Sequence, residues 1–71
     1  MSYAAPMIDW VSVIHQCRMS DQDIADRIGV AHARVRGWRQ YGYQPRYCDG
    51  EALLALWVAV TENLRESAPR K

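Results

Sequence analysis

The amino-acid sequence predicts an all-α fold of four helices, in one domain that spans residues 1–71. Apolar residues recur at intervals of three and four, as they do on one face of an amphipathic helix. Ser20, Gly29 and Gly42 divide this pattern into pieces of helical length. A chain of 71 residues leaves no room for a second domain, and an apolar fraction of 49% suits a packed core.

The first two helices are delimited by familiar end signals. Pro6 suits a first helical turn, so the first helix is expected over about residues 6–17. Ser20 is a good N-cap, and Gly29 tolerates the left-handed conformation that ends many helices. The second helix is therefore expected over about residues 21–28.

The last two helices are predicted over about residues 31–40 and 49–66, and a frayed tail is expected at 67–71. The fourth helix is expected to begin somewhere between Pro45 and Asp49. Ala31 offers the third helix no side-chain cap, whereas Asp49 is the better cap for the fourth. Two apolar stripes run along the fourth helix. The core stripe is expected to be Leu53, Leu56, Trp57, Val60 and Leu64, and the flanking stripe Leu54, Val58 and Thr61.

Positive charge is concentrated in one part of the chain. Residues 31–47 contain four arginines and no acid, whereas the segments on either side are net negative. A confined basic face is the electrostatic footprint of a phosphate-binding surface, and a solvated arginine-rich helix is the plainer alternative.

Other classes of protein receive little support. The sequence lacks an apolar run of membrane-spanning length and a signal-peptide pattern, so we expect the cytoplasm and no membrane partner. Cys17 and Cys48 are far apart, and zinc ligation with His15 and His32 would lack the usual close pairs, so no metal or other cofactor is expected. No paired carboxylates, phosphate loop or nucleophile–base motif indicates an enzyme or a small-molecule substrate.

Residues 21–40 meet the requirements of two short helices that cross steeply at a turn. Ala25 is small where the helices cross, Gly29 provides the turn, and Val35 and Trp38 anchor the second helix. The segment resembles the helix-turn-helix of phage Cro and repressor proteins and related bacterial regulators. The resemblance implies a four-helix, lambda-repressor-like fold with its motif at residues 20–41.

The chain from the tyrosine and proline turn to the ALLALW segment is similar to small phage regulators, anti-CRISPR-associated repressors among them. The resemblance implies a sequence-specific regulator that binds double-stranded DNA, with repression of a palindromic phage or prophage operator favoured. The alternatives are an unrelated helical hairpin, and an antitoxin or phage host-takeover factor that acts mainly by binding proteins.

The resemblance places the second helix of the motif in the major groove. Because Val35 and Trp38 face inward, other residues of that helix face out and are the expected base contacts. They are His32, Ala33, Arg36, Gly37 and Gln40. Arginine suits guanine, glutamine suits adenine, alanine suits a thymine methyl group, and glycine allows close approach. His32 has the alternative of a solvated surface residue.

Phosphate contacts are expected on the flanks of the same helix, just beyond it, and at the start of the helix over 21–28, where backbone amides near Gln22 can bind a phosphate. The candidates are Gln22, Arg34, Arg39, Tyr41, Tyr43 and Arg46. Tyr41 and Tyr43 have the alternative of core or dimer residues.

A homodimer is also expected, for two reasons. A two-fold dimer doubles the number of contacts with DNA, and a chain with a small core gains stability from a partner. The flanking stripe of Leu54, Val58 and Thr61 is the predicted interface. The alternative is that both stripes of the fourth helix are buried within one chain.

Overall fold

The computed structural model describes residues 8–71, where four α-helices and one short 3₁₀-helix are the regular elements. The helices are α1 (Trp10–Cys17), α2 (Asp21–Ile28), α3 (His32–Gln40) and α4 (Tyr47–Thr61), followed by the 3₁₀-helix Arg65–Ser67. The predicted all-α class is thereby confirmed. None of the helices in this part of the chain is long and apolar enough to cross a membrane.

The first helix starts later than Pro6, whose own position lies outside the described residues. Asp9 is the N-cap of α1, where its carboxylate accepts hydrogen bonds from the Ser12 amide (3.3 Å) and the Ser12 hydroxyl (2.9 Å). A side-chain cap satisfies an amide that has no partner within the helix, so Asp9 defines this end more strongly than a proline can.

The predicted bounds of α2 are confirmed, and its caps act as expected. The Ser20 hydroxyl accepts a hydrogen bond from the Asp23 amide at 3.1 Å. Gly29 ends the helix with φ of 78°, and its amide donates to the Ala25 carbonyl at 2.8 Å. A turn of three residues, 29–31, then leads to α3, whose N-cap Ala31 makes no side-chain hydrogen bond.

The start of α4 lies within the predicted range of Pro45 to Asp49, although Asp49 is not its N-cap, and the predicted end was wrong. The helix begins at Tyr47 with Arg46 as N-cap, two residues before Asp49, and it ends at Thr61 instead of continuing to 66. Glu62 turns into the left-handed region, with φ of 61°, and its amide donates to the Val58 carbonyl at 2.8 Å. The left-handed conformation of Glu62 ends the helix, although neither glycine nor proline marks the position.

The early end of α4 changes which of its residues form the core. Leu53, Leu54 and Trp57 are buried, so the two predicted stripes share one buried face near the middle of the helix. Val60 and Leu64 were predicted as core residues, but their exposed fractions are 41% and 70%. Val60 lies in the last helical turn, and Leu64 lies beyond the helix.

The predicted dimer interface requires an exposed stripe of Leu54, Val58 and Thr61, and this stripe is not exposed. Leu54 is only 3% exposed within the single chain. Val58 is partly buried against the same core, and the Thr61 hydroxyl donates to the Trp57 carbonyl at 2.7 Å. The argument that a monomer would leave this stripe in water is therefore wrong.

The C-terminal tail is not frayed as predicted. Ala68 is 5% exposed and belongs to the core. The Asp9 amide donates to the Pro69 carbonyl at 2.9 Å, and Ile8 forms an isolated antiparallel bridge with Arg70. The tail therefore returns to the start of α1, and a small core gains apolar surface from it.

Gly29→Ala should lower the free energy of unfolding by about 1 kcal/mol, because a β-carbon disfavours the left-handed conformation. Gly29→Asn should lower it less, because asparagine adopts this conformation more readily. Urea denaturation measures both effects. Equal stability of the wild type and Gly29→Ala would contradict the assignment of Gly29 as the obligatory turn residue.

Candidate nucleic-acid interface

The α2–turn–α3 unit is held by apolar contacts on the inner sides of both helices. Ile24 and Ala25 of α2 and Val35 and Trp38 of α3 are all at most 3% exposed. The Val30 amide also donates to the Ala25 carbonyl at 3.1 Å, which ties the turn back to α2. This burial fixes the rotation of α3 about its own axis and determines which of its side chains face solvent.

Four of the five predicted base-contacting residues lie on the exposed side of α3. They are His32, Ala33, Arg36 and Gln40. Within residues 8–71, no ion pair or side-chain hydrogen bond engages the Arg36 guanidinium. Its five donors are therefore open to a ligand in this part of the chain, and a guanidinium fits the two acceptors of a guanine edge or a phosphate.

Gly37, the fifth predicted base contact, is buried. A β-carbon at this position would lie 2.9 Å from Cδ2 and 3.4 Å from Cε2 of Tyr43. The Tyr43 amide also donates to the Gly37 carbonyl at 3.3 Å. The expectation that Gly37 leaves room for a close approach of DNA is therefore corrected, because the missing side chain makes room for the Tyr43 ring.

Tyr41 and Tyr43 form an exposed aromatic pair at the end of α3. Their ring centroids are 5.4 Å apart with an interplanar angle of 32°, and the two residues are 66% and 62% exposed. The rings flank an open groove along α3. The groove is lined by Ala31, Ala33, Arg34, Arg36, Gly37, Trp38, Tyr41 and Tyr43.

Arg39 does not point freely to a flanking phosphate as predicted. Its Nε donates to Asp21 Oδ1 at 2.7 Å, and a terminal nitrogen donates to the Met19 carbonyl at 2.9 Å. Its side chain is only 26% exposed and that of Asp21 only 17%. Arg39 therefore links the end of α3 to the start of α2. Arg39 and Asp21 are 18 residues apart in sequence, and no local sequence pattern indicates that they pair.

The other polar candidates for phosphate contact lie at the surface. Arg34 forms an ion pair with Asp49 at 3.1 Å, and its side chain is 42% exposed. The Gln22 amide donates to Asp26 at 3.1 Å in an exposed pair. Arg46 is exposed, and its guanidinium makes no ion pair within the described range. A surface pair contributes little free energy, so Arg34 and Gln22 can exchange their partners for a phosphate.

The cysteines occupy different environments. Cys17 is buried, and desolvation raises the pKa of its thiol although the nearby charge of Arg39 acts in the opposite direction. Cys48 is exposed. Within residues 8–71 no three or more histidine, cysteine, aspartate or glutamate side chains are grouped so as to hold a metal ion.

Comparisons of the chain with protein-family models, curated proteins and solved structures find no match. The assignment of a function therefore depends on the surface of α3 and its surroundings.

Arg39→Ala should lower the free energy of unfolding by about 2 kcal/mol, because it removes charge-assisted hydrogen bonds that are mostly shielded from water. Arg36→Ala, a matched change on the same helix, should alter it by less than about 0.5 kcal/mol because Arg36 is exposed. Urea denaturation of both variants measures the difference. Equal losses would show that Arg39 does not link α3 to α2 as described.

Proposed function

We propose that the protein is a sequence-specific regulator of transcription that binds double-stranded DNA with α3 in the major groove. The observation that carries the proposal is the exposed Arg36 guanidinium, which makes no ion pair within residues 8–71 and lies on the outer side of a helix whose inner side is buried. Such a helix-turn-helix arrangement presents a rigid set of side chains to base edges. The sequence resemblance to Cro and repressor proteins supports the same function.

The proposed base contacts are Arg36, Gln40, Ala33 and His32. Arg36 and Gln40 are four residues apart, so they lie one above the other on the same side of α3. Arginine can donate two hydrogen bonds to guanine, and glutamine can donate and accept one each with adenine. His32 lies on the same side one turn earlier.

The proposed phosphate contacts surround this side of α3. Arg46 is the strongest candidate, and Arg34, Gln22 and Tyr41 can join it from their exposed positions. Such contacts set orientation and affinity, whereas base contacts set the sequence preference. Arg39 leaves this group because its donors are engaged within the chain.

The wider biological setting follows from the same proposal. A small DNA-binding protein has little surface for recruiting polymerase, so we propose that it represses transcription. The resemblance implies that it acts on a phage or prophage operator in the bacterial cytoplasm. We propose that the operator is palindromic, because dimers of this class bind two half-sites about 34 Å apart.

The homodimer remains part of the proposal, with its interface moved along α4. The exposed Ala55, Ala59 and Val60 replace the buried stripe as the proposed contact, and a groove that includes Ile28 and Ala55 borders them. Small side chains let two helices approach closely, and a second copy would cover apolar surface that one chain leaves in water. A two-fold axis here would pair α4 with its own copy.

Binding to a partner protein is the second candidate function. The exposed rings of Tyr41, Tyr43 and Tyr47 favour it, because tyrosine is enriched in protein interfaces. A mobility shift with duplex DNA and excess competitor separates the two functions, since a dedicated protein binder shifts no duplex.

Arg36→Ala should cost about 1–3 kcal/mol of binding free energy at the preferred site and relax the base preference at one position of each half-site. Arg46→Ala should weaken binding to all sequences alike and reduce the slope of log affinity against log salt by about one. Selection from a random duplex pool, followed by salt titrations, measures both. If the two variants lose affinity equally on preferred and random DNA, the assigned roles are wrong.

The double variant Ala55→Glu with Val60→Glu should be monomeric and should bind a two-half-site operator more weakly than the wild type. Two carboxylates in the proposed apolar contact would be desolvated without partners. Asn63→Glu, an exposed change just beyond α4, is the control and should still dimerise. Sedimentation at micromolar concentration decides the matter, and a monomeric wild type would overturn the proposed dimer.

A further inference from the structure

Tyr43 occupies the position that a side chain at residue 37 would take on α3. Its ring lies against Gly37 so closely that a β-carbon there would come within 2.9 Å of Cδ2. Gly37 comes four residues after Ala33 and one after Arg36, both of which are exposed. The chain therefore presents an aromatic ring, carried by the following loop, beside the polar residues of this helix.

The ring is fixed on one side and open on the other. Contact with Gly37, the backbone hydrogen bond from the Tyr43 amide to the Gly37 carbonyl (3.3 Å) and the neighbouring Tyr41 ring restrict its position. Tyr43 is nevertheless 62% exposed, and its ring borders the groove that Ala33 and Arg36 also line. A restricted, exposed apolar surface loses little side-chain entropy when a ligand covers it.

We propose that Tyr43 is a specificity-determining residue that recognises the 5-methyl group of a thymine in the groove between its ring and Ala33. The inference rests on the proposed DNA-binding function and deepens it. Thymine is the one DNA base that carries a methyl group into the major groove, and apolar side chains recognise it by excluding water. Arg36 lines the same groove, so the thymine lies next to the base that Arg36 reads.

This role differs from the phosphate contact that the sequence suggests for Tyr43. A phosphate contact uses the hydroxyl group and is indifferent to sequence, whereas a methyl contact uses the ring and depends on one base. Removal of the hydroxyl group alone therefore distinguishes the two cases, because it abolishes a phosphate contact and leaves a methyl contact in place.

The experiment begins with selection of a preferred site for the wild-type protein from a random-sequence duplex pool. Each thymine of that site is then replaced in turn by deoxyuridine, which removes only the methyl group. In the wild type, one such replacement per half-site should weaken binding about fourfold, the effect expected for burial of a single methyl-sized group. The measured quantity is the ratio of affinities for the thymine and deoxyuridine duplexes.

Three variants test which part of the molecule produces this ratio. Tyr43→Phe should keep it near fourfold, because the ring remains, whereas Tyr43→Ala should reduce it to about one. Gly37→Ala should also reduce it, because the new β-carbon displaces the ring while Tyr43 itself is unchanged. Circular dichroism and urea denaturation show that each variant is folded before its ratio is interpreted.

The outcomes separate this inference from the proposed function. If selection enriches no duplex, the proposed function fails and the inference fails with it. If the wild type binds a preferred site without any sensitivity to thymine methyl groups, only the inference fails. Loss of the ratio in Tyr43→Phe would likewise overturn it, because the hydroxyl group would then be the recognising atom.

Discussion

Burial of Val35 and Trp38 is the constraint on which the rest of the candidate interface depends. Two apolar anchors three residues apart fix the rotation of α3, and successive residues of a helix are then placed about 100° apart. Because Val35 and Trp38 face the core, Arg36 and Gln40 face solvent. A polar substitution at either anchor would misplace every outward side chain at once, even if the helix itself persisted.

The arginines of the basic segment are divided between holding the fold and facing solvent. Arg39 bonds to Asp21 and the Met19 carbonyl, and Arg34 pairs with Asp49, whereas Arg36 and Arg46 make no ion pair within residues 8–71. The number of arginines in the sequence therefore overestimates the positive charge that this surface can present to phosphate groups. Arg39 instead stabilises the position of the helix that carries Arg36.

Local signals predicted the helices well where a cap or a glycine marked their ends. Ser20 and Gly29 fixed α2, and the apolar pattern identified Val35 and Trp38 as the inner side of α3. The end of α4 at Glu62 had no such signal, since a glutamate in the left-handed conformation looks like any helical residue in sequence. For this reason Leu64 was wrongly predicted as a core residue, whereas Val60 lies within α4 and is exposed in its last turn.

Contacts between residues that are distant in sequence could not be predicted, for a different reason. The Arg39–Asp21 pair and the return of the tail to Asp9 join segments whose proximity arises only when the helices pack. Gly37 could be recognised as unusual within a helix, but its neighbour Tyr43 is reached only after the chain has turned at Gly42, where φ is 71°. Sequence periodicity predicts which side of a helix a residue faces, but it does not predict which residue of a later loop packs against that side.

Under the proposed function, the division of the arginines has a consequence for how the protein distinguishes one DNA sequence from another. Nonspecific affinity grows with the number of phosphates neutralised, so a surface with few free cations binds random DNA weakly. Asp21 and Asp49 place negative charge beside α3, which would reduce the affinity of the proposed surface for random DNA further. Discrimination must then come from base-edge contacts, each of which adds affinity at one sequence only. Under that proposal, the Arg36 guanidinium and the Gln40 amide on α3, together with the Tyr43 ring in the following loop, would give low affinity per half-site. A second copy on the adjacent half-site would raise that affinity without adding charge to either chain.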